Sequence, residues 1–303
     1  MKPTAVTAQL QAVLRRPVLT QARLAPYTTW KLGGPADWLV MPENEAELTA
    51  LLLKCRELDL PWLVMGNGSN LLISDKGLRA VVIRLGEGFS RMVWQEDRVE
   101  AYAGLLLRDL AEAAAARGLS GLEYVHGVPG SVGGGVRMNC GAYGGNLSTH
   151  VTAVKAVSFE GRPLELPRQD ISFAYRNSSL FQLEAVITSV VLQLPQGREQ
   201  EIRAMMEDFR QRRQQTQPLE YPSCGSVFKN PPGDHAGWIV ERNELRGHRI
   251  GGLQVSEKHG NFMVNRWQGT ASDARRLIEW VQERVLRLEQ IQLQPEVRML
   301  GEF

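Results

Sequence analysis

The sequence predicts an α+β protein. Helix and strand patterns follow one another irregularly, without the strand–helix–strand rhythm of a doubly wound sheet. Glycine is concentrated in two tracts, and the pattern changes after the turn Pro195-Gln196-Gly197-Arg198. A chain of 303 residues, 43% hydrophobic and 22% charged, is long enough for two domains with apolar cores.

Asn44 and Glu47 read as a helix N-terminal cap. Leu48, Leu51, Leu52 and Cys55 then fall on one helical stripe, which assigns Cys55 to the core. Short strands are expected at 62–65, 80–85 and 99–102, then an alanine-rich helix over 108–117 and strands at 151–159 and 185–194. A helix over 199–215 follows, and its basic residues interleave with Glu207 and Asp208, as on a solvated face. The domain boundary is placed at 197/198. Beyond it come strand signals at 226–229 and 261–264. A long helix, capped by Thr270 and Asp273, then carries the stripe Ala274, Leu277, Ile278, Val281, Val285 and Leu288.

The first glycine tract, Gly66-Asn67-Gly68-Ser69-Asn70-Leu71-Leu72, directly follows the apolar run Trp62-Leu63-Val64-Met65. The second holds nine of the 29 glycines between Gly121 and Gly145. Without Cβ atoms, such backbone can turn tightly and close its amides around a phosphate, and a dinucleotide pyrophosphate is the natural candidate. Taken alone, the first tract is equally an ordinary tight turn. Its spacing is wrong for the Rossmann fingerprint, since Ser69-Asn70 is followed by the apolar Leu71-Leu72-Ile73 where that fingerprint opens a helix, which disfavours that fold.

A net charge of +2 argues against a general nucleic-acid binder. The three cysteines, Cys55, Cys140 and Cys224, are odd in number and show no C-x-x-C spacing, which supports neither a disulfide framework nor a zinc site. No run approaches a membrane span, and the N-terminal stretch lacks a signal-peptide apolar core, so the expected location is the cytoplasm.

Several further segments group polar side chains in ways that suggest site chemistry. Tyr175-Arg176-Asn177-Ser178 presents a guanidinium, the shape best suited to hold a carboxylate or phosphate by paired bonds. Pro222 to Pro231 gathers Ser223, Cys224, Ser226, Lys229 and Asn230 in one turn-bounded strand, although a capped turn would also explain it. His259 has no second histidine at metal-ligand spacing and reads as a packing residue, and no metal is expected. Glu296, in Pro295-Glu296-Val297, would by itself be assigned to the surface.

In order along the chain, these segments resemble one family, the UDP-N-acetylenolpyruvylglucosamine reductases, flavoenzymes of peptidoglycan precursor synthesis. The resemblance runs through 28–36, 66–72, 127–134, 137–144, 175–178, 225–231 and 295–297, nearly the full length. Each piece is moderately specific, and their joint order is very specific.

The resemblance implies an FAD-binding region of the vanillyl-alcohol-oxidase type over 1–197, made of two α+β subdomains split near 85. A substrate-binding domain over 198–303 would follow, its last segment returning to the active site from about 295. FAD would be held without a covalent link by Gly66, Asn67, Gly68, Ser69, Asn70, Leu71, Pro129, Gly130, Ser131, Gly133 and Gly134. NADPH would be the reductant, the enolpyruvyl ether of UDP-N-acetylglucosamine the substrate, and UDP-N-acetylmuramate the product, placing the chain in cell-wall biogenesis and, through it, in cell shape and division. No obligate protein partner is implied. Arg176 and Glu296 match the carboxylate-side catalytic pair and Ser226 the proton donor, while Tyr175, Lys229 and Asn230 match substrate-binding positions. Glu296 would act protonated, through water, or through Ser226.

Two departures stand out. Thr216-Gln217-Pro218 stands where some members carry a lysine before the proline, which shifts charge stabilisation elsewhere, with Lys229 as one candidate. The length and the Ser-Cys-Gly-Ser form match the shorter class, which lacks the tyrosine-bearing loop over the substrate. Two other functions compete: a different flavin oxidase or dehydrogenase acting on a small alcohol, and a nucleotide-diphosphate binding protein without turnover. The Ser226 and Glu296 segments weigh against the first, and intact Arg176, Ser226 and Glu296 against the second.

Overall fold

The structure is a computed structural model that describes residues 2–303. The chain forms two compact units. The first contains Met1–Gln21, Asp37–Asn67 and Ala80–Gln211, and the second Ala22–Ala36, Gly68–Arg79 and Arg212–Phe303. This division differs from a linear cut at 197/198. Strand Leu71–Ile73, early in the chain, pairs in parallel with Arg298–Leu300 near its end, which draws residues 68–79 into the second unit.

In the first unit, helix Glu45–Glu57 begins where the Asn44 side chain accepts the Glu47 N–H at 2.9 Å. Leu48, Leu51, Leu52 and Cys55 of this helix are buried. Strand Trp62–Met65 runs parallel to Leu78–Arg84, with Trp62 opposite Val81 and Met65 opposite Arg84. A five-stranded antiparallel sheet has the order Pro163–Pro167, Val151–Ser158, Ala185–Gln193, Arg98–Tyr102, Met92–Gln95. Its middle strand, rich in β-branched residues, is buried from Ala185 to Leu192, as a strand covered on both faces must be. The proline-ended strand sits at the edge, where a missing N–H does least harm. Helix Leu107–Ala115 buries Leu107, Leu110, Ala111, Ala114 and Ala115, and the short helix Val132–Arg137 follows the second glycine tract's first half.

The second unit is built on an antiparallel sheet ordered Ser223–Ser226, Phe262–Asn265, Leu253–Val255, Arg249–Ile250. Helix Ala271–Glu289 starts with the expected Thr270/Asp273 capping box. Its buried face is Ala274, Leu277, Ile278, Val281 and Val285; Leu288, expected in that stripe, is 57% exposed in the last turn. The serine strand also ends earlier than expected, at Ser226. Between the pairs Ser223 with Val264 and Ser226 with Phe262 it holds one residue more than its partner, a bulge containing Gly225 at φ 77°. Val227–Lys229 then leave the sheet, and Phe228 bridges to Pro295. Among the described residues, no helix is long and apolar enough to cross a membrane.

Candidate active site

In the first unit, the glycine tracts touch. A Cβ on Gly66 would collide with Ser131 Oγ, so a side chain there would push the Ser131 hydroxyl aside where strand Trp62–Met65 ends against it. The Asn67 Nδ2 donates to the Pro129 carbonyl at 2.6 Å, which fastens one tract to the other. Gly134 is exposed, and a Cβ there would meet only Ser131 Oγ, at 3.5 Å, leaving a surface without side chains beside the junction. Gly133 also meets a packing constraint. Its N–H donates to the Ala103 carbonyl at 2.9 Å, and an added Cβ would lie 2.8 Å from Ala103 Cβ, so this glycine is demanded by packing. The Tyr124 ring lies where a Cβ on Gly145 would fall, and its hydroxyl is buried without a hydrogen-bond partner. A side-chain-free backbone surface beside a fixed loop junction fits the pyrophosphate of FAD. Gly66, Asn67 and the 129–134 segment are the first unit's residues that would hold it.

Arg176 lies in a hairpin of the same unit. Phe173–Ala174 pairs with Asn177–Ser178 across the two-residue turn Tyr175-Arg176, and Arg176 takes φ 53°. Left-handed backbone costs a side-chain-bearing residue about 1–2 kcal/mol, and such strain is concentrated at functional positions. Tyr175 is 55% exposed and Arg176 half-buried. Burial pushes the Cys140 thiol up to about 12, and the Arg176 charge pulls the other way. The hairpin is gripped from residues 137–139. Asn139 Nδ2 donates to the Ala174 carbonyl at 3.2 Å, Ser178 Oγ to the Arg137 carbonyl at 2.7 Å, and Arg137 Nη2 to the Phe181 carbonyl at 3.2 Å. Asn139 falls within the segment 137–144. The signal that marks it is an asparagine in a glycine tract, a residue type that tolerates left-handed backbone.

The second unit brings Ser226, Glu296 and the second half of the first glycine tract together. The Glu296 N–H donates to the Val227 carbonyl at 2.7 Å, which seats Glu296 opposite the residue after the serine. The Lys229 N–H donates to the Gln294 carbonyl at 2.9 Å. The Gly225 bulge matters here. Cys224 and Ser226 would share a face in a regular strand, but the extra residue reverses the alternation. Cys224 is accordingly in the core and Ser226 half-buried. Asn70 Nδ2 donates to the Glu296 carbonyl at 3.1 Å, and Leu71 pairs with Arg298. Gly68 is buried at φ 63°, and Ser69 is half-buried. Asn230 uses its amide within the unit, accepting the Ala236 N–H at 3.1 Å and contacting His235 Nδ1 at 3.1 Å.

Burial, with a contribution from the Glu296 charge, drives the Cys224 thiol far above the normal thiol range, which disqualifies it as a nucleophile at neutral pH. His259 accepts the Asn261 N–H at 3.1 Å and has its pKa lowered, first by burial and then by Arg246, in keeping with a packing role. His126 lies 2.7 Å from Glu112.

A mixed α+β chain with apposed glycine tracts defines the class, a flavin-binding enzyme. Residues 36–166 match the FAD binding domain family model, and 217–300 match the model described as UDP-N-acetylenolpyruvoylglucosamine reductase, C-terminal domain. The chain is 45% identical to the UDP-N-acetylenolpyruvoylglucosamine reductase of Heliobacterium modesticaldum, over 94% of this chain and 91% of the relative. It is 42% identical to that of Moorella thermoacetica, over 100% and 99%. The crystal structure of the reductase from Thermus caldophilus superposes with a TM-score of 0.81 at 35% identity, covering 94% of this chain and 100% of that one. The chain therefore belongs to the UDP-N-acetylenolpyruvoylglucosamine reductase family, FAD-dependent oxidoreductases.

Proposed function

We propose that this protein reduces the enolpyruvyl ether of UDP-N-acetylglucosamine to UDP-N-acetylmuramate, with NADPH as reductant, in cytoplasmic peptidoglycan precursor synthesis and with no obligate protein partner. The observation that carries the reading is the pairing of the Glu296 segment with the chain just after Ser226, joined to the cofactor candidate Asn70. FAD bound without a covalent link would supply two-electron hydride chemistry between NADPH and the terminal carbon of the enolpyruvyl group. In this proposal, residues 1–197 carry FAD in two subdomains split near 85, and 198–303 cover the substrate, with the chain from about 295 returning to the reacting group.

Hydride arrival at the terminal carbon leaves negative charge on the adjacent carbon and its carboxylate. The Arg176 guanidinium holds that carboxylate by paired charge-assisted bonds and stabilises the charge as it grows. The Ser226 hydroxyl delivers the proton to the adjacent carbon. A hydroxyl is a weak acid, but the enediolate it meets is a strong base, so the match is sound. Glu296 governs the serine's proton, as a protonated carboxyl, through water, or directly. Lys229 and Asn230 bind the substrate's polar body, and Tyr175 shapes the pocket wall.

Anaerobic stopped-flow measurement tests the whole reading. NADPH should bleach the flavin of the yellow protein, and UDP-N-acetylglucosamine enolpyruvate should restore the colour. A colourless protein would favour a binding protein, and a reduced flavin indifferent to this substrate would favour another oxidase or dehydrogenase.

A further inference from the structure

We propose that Asn139 is a positioning residue for Arg176, fixing the strained turn that carries the guanidinium. The inference rests on the carboxylate-binding role given to Arg176 above.

Asn139 is 8% exposed and adopts φ 44°. Asparagine is one of the few residues with a Cβ that enters this region readily. Both ends of its side-chain amide are engaged: Nδ2 donates to the Ala174 carbonyl at 3.2 Å, and Oδ1 accepts the Ser148 N–H at 3.1 Å. Rotation would break both bonds and leave the buried Asn139 amide unsatisfied. Ala174 opens the turn in which Arg176 is the third residue, so the asparagine anchors the turn on the side from which the arginine departs. The neighbouring clamps, Ser178 Oγ to the Arg137 carbonyl and Arg137 Nη2 to the Phe181 carbonyl, hold the hairpin only after the arginine.

Arg176 is therefore strained, and its turn is held upstream by the side-chain bond from Asn139 to the Ala174 carbonyl. Without that bond the turn can relax toward ordinary backbone and move the guanidinium. A shift of about 1 Å in a group that positions a substrate costs up to about 100-fold in rate. The cost should fall on the half-reaction that uses the substrate carboxylate and spare the one that uses NADPH.

The test is a double-mutant cycle on the FAD-loaded enzyme. Asn139→Gly keeps the left-handed backbone and removes the side chain, and Asn139→Asp keeps the shape but turns the donor into an acceptor facing the Ala174 carbonyl. Each is combined with Arg176→Lys, and both half-reactions are followed by anaerobic stopped flow, with FAD affinity read by fluorescence. On the order of 10- to 100-fold slower reoxidation by the enolpyruvyl substrate is expected for each single variant. Flavin reduction and FAD affinity should stay within about twofold, and either Asn139 change should add less than about threefold in the Arg176→Lys background. Equal loss in both half-reactions, or a full multiplicative effect on top of Arg176→Lys, overturns the inference. An Arg176→Lys enzyme with unchanged reoxidation overturns instead the role assigned to the arginine. Should Asn139→Gly fail to fold, Asn139→Asp completes the cycle alone.

Discussion

Asn70 and Glu296 are joined twice over. The Asn70 side-chain amide donates to the Glu296 carbonyl at 3.1 Å, and the Asn70 carbonyl accepts the N–H of Arg298, two residues on, at 3.0 Å. A residue proposed to hold the cofactor thus also fixes the backbone of one proposed to act in catalysis. Asn70→Ala should lower FAD affinity and slow substrate-dependent reoxidation together, each by about 5- to 10-fold, as expected for one lost hydrogen bond of about 1 kcal/mol. Fluorescence titration with FAD and stopped flow on the loaded enzyme measure the two effects; loss of only one would separate the roles.

Ser226→Ala should leave NADPH-dependent flavin reduction intact and slow reoxidation by about 10²- to 10⁴-fold, the usual contribution of a positioned proton donor. A solvent isotope effect on reoxidation that vanishes in the variant would identify the same proton. Equal loss in both half-reactions would refute the assignment.

Gly225→Ala tests the bulge. An added Cβ would meet no atom within 4 Å, so the cost is conformational, about 1 kcal/mol or slightly more from φ 77°. If the bulge aims Ser226, reoxidation should suffer more than stability does. Denaturant melts and stopped flow on the same preparation compare the two losses.

The capping box at Thr270 and Asp273 should be worth about 1 kcal/mol, read as the loss of stability in Thr270→Ala. For Asp273, burial pushes its pKa up, but the backbone bond from Thr270, the ion pair with Arg276 and the Gly252 N–H together hold it below the usual range. Its stabilising contribution is present above the unfolded pKa of about 3.9 and is lost as pH falls through the lower folded value. Acid melts of wild type and Asp273→Asn should converge at low pH.

The buried thiols predict a loss of stability at alkaline pH. Burial raises Cys55 to about 12 and, against the pull of Arg176, Cys140 to about 12. An unfolded thiol ionises near pH 8.5, so from that pH upward the unfolded state releases protons that the folded state keeps. Stability should fall between about pH 8.5 and 12, less steeply in Cys55→Ala, and iodoacetamide at pH 8 should label the buried Cys55 only after denaturation.

The local elements were legible because their signals are local. Asn44 with Glu47 and Thr270 with Asp273 announce helix starts through bonds spanning three residues. The stripe Leu48, Leu51, Leu52 and Cys55 announces a buried face by its period. Gly133 shows the limit: sequence reads it with the cofactor glycines, whereas its contact with Ala103 gives it a packing reason that a glycine count cannot reveal.

By itself, the sequence determined the α+β class, most strands and helices, and the ordered segments that mark the family, since periodicity, capping and glycine spacing are properties of neighbouring residues. Tertiary structure alone decided that residues 68–79 join the second unit, because the partner of Leu71 lies more than two hundred residues away at Arg298. It also decided that Ser226 turns away from the core occupied by Cys224. That depends on a register mismatch with Phe262 and Val264, and register exists only once two strands have met.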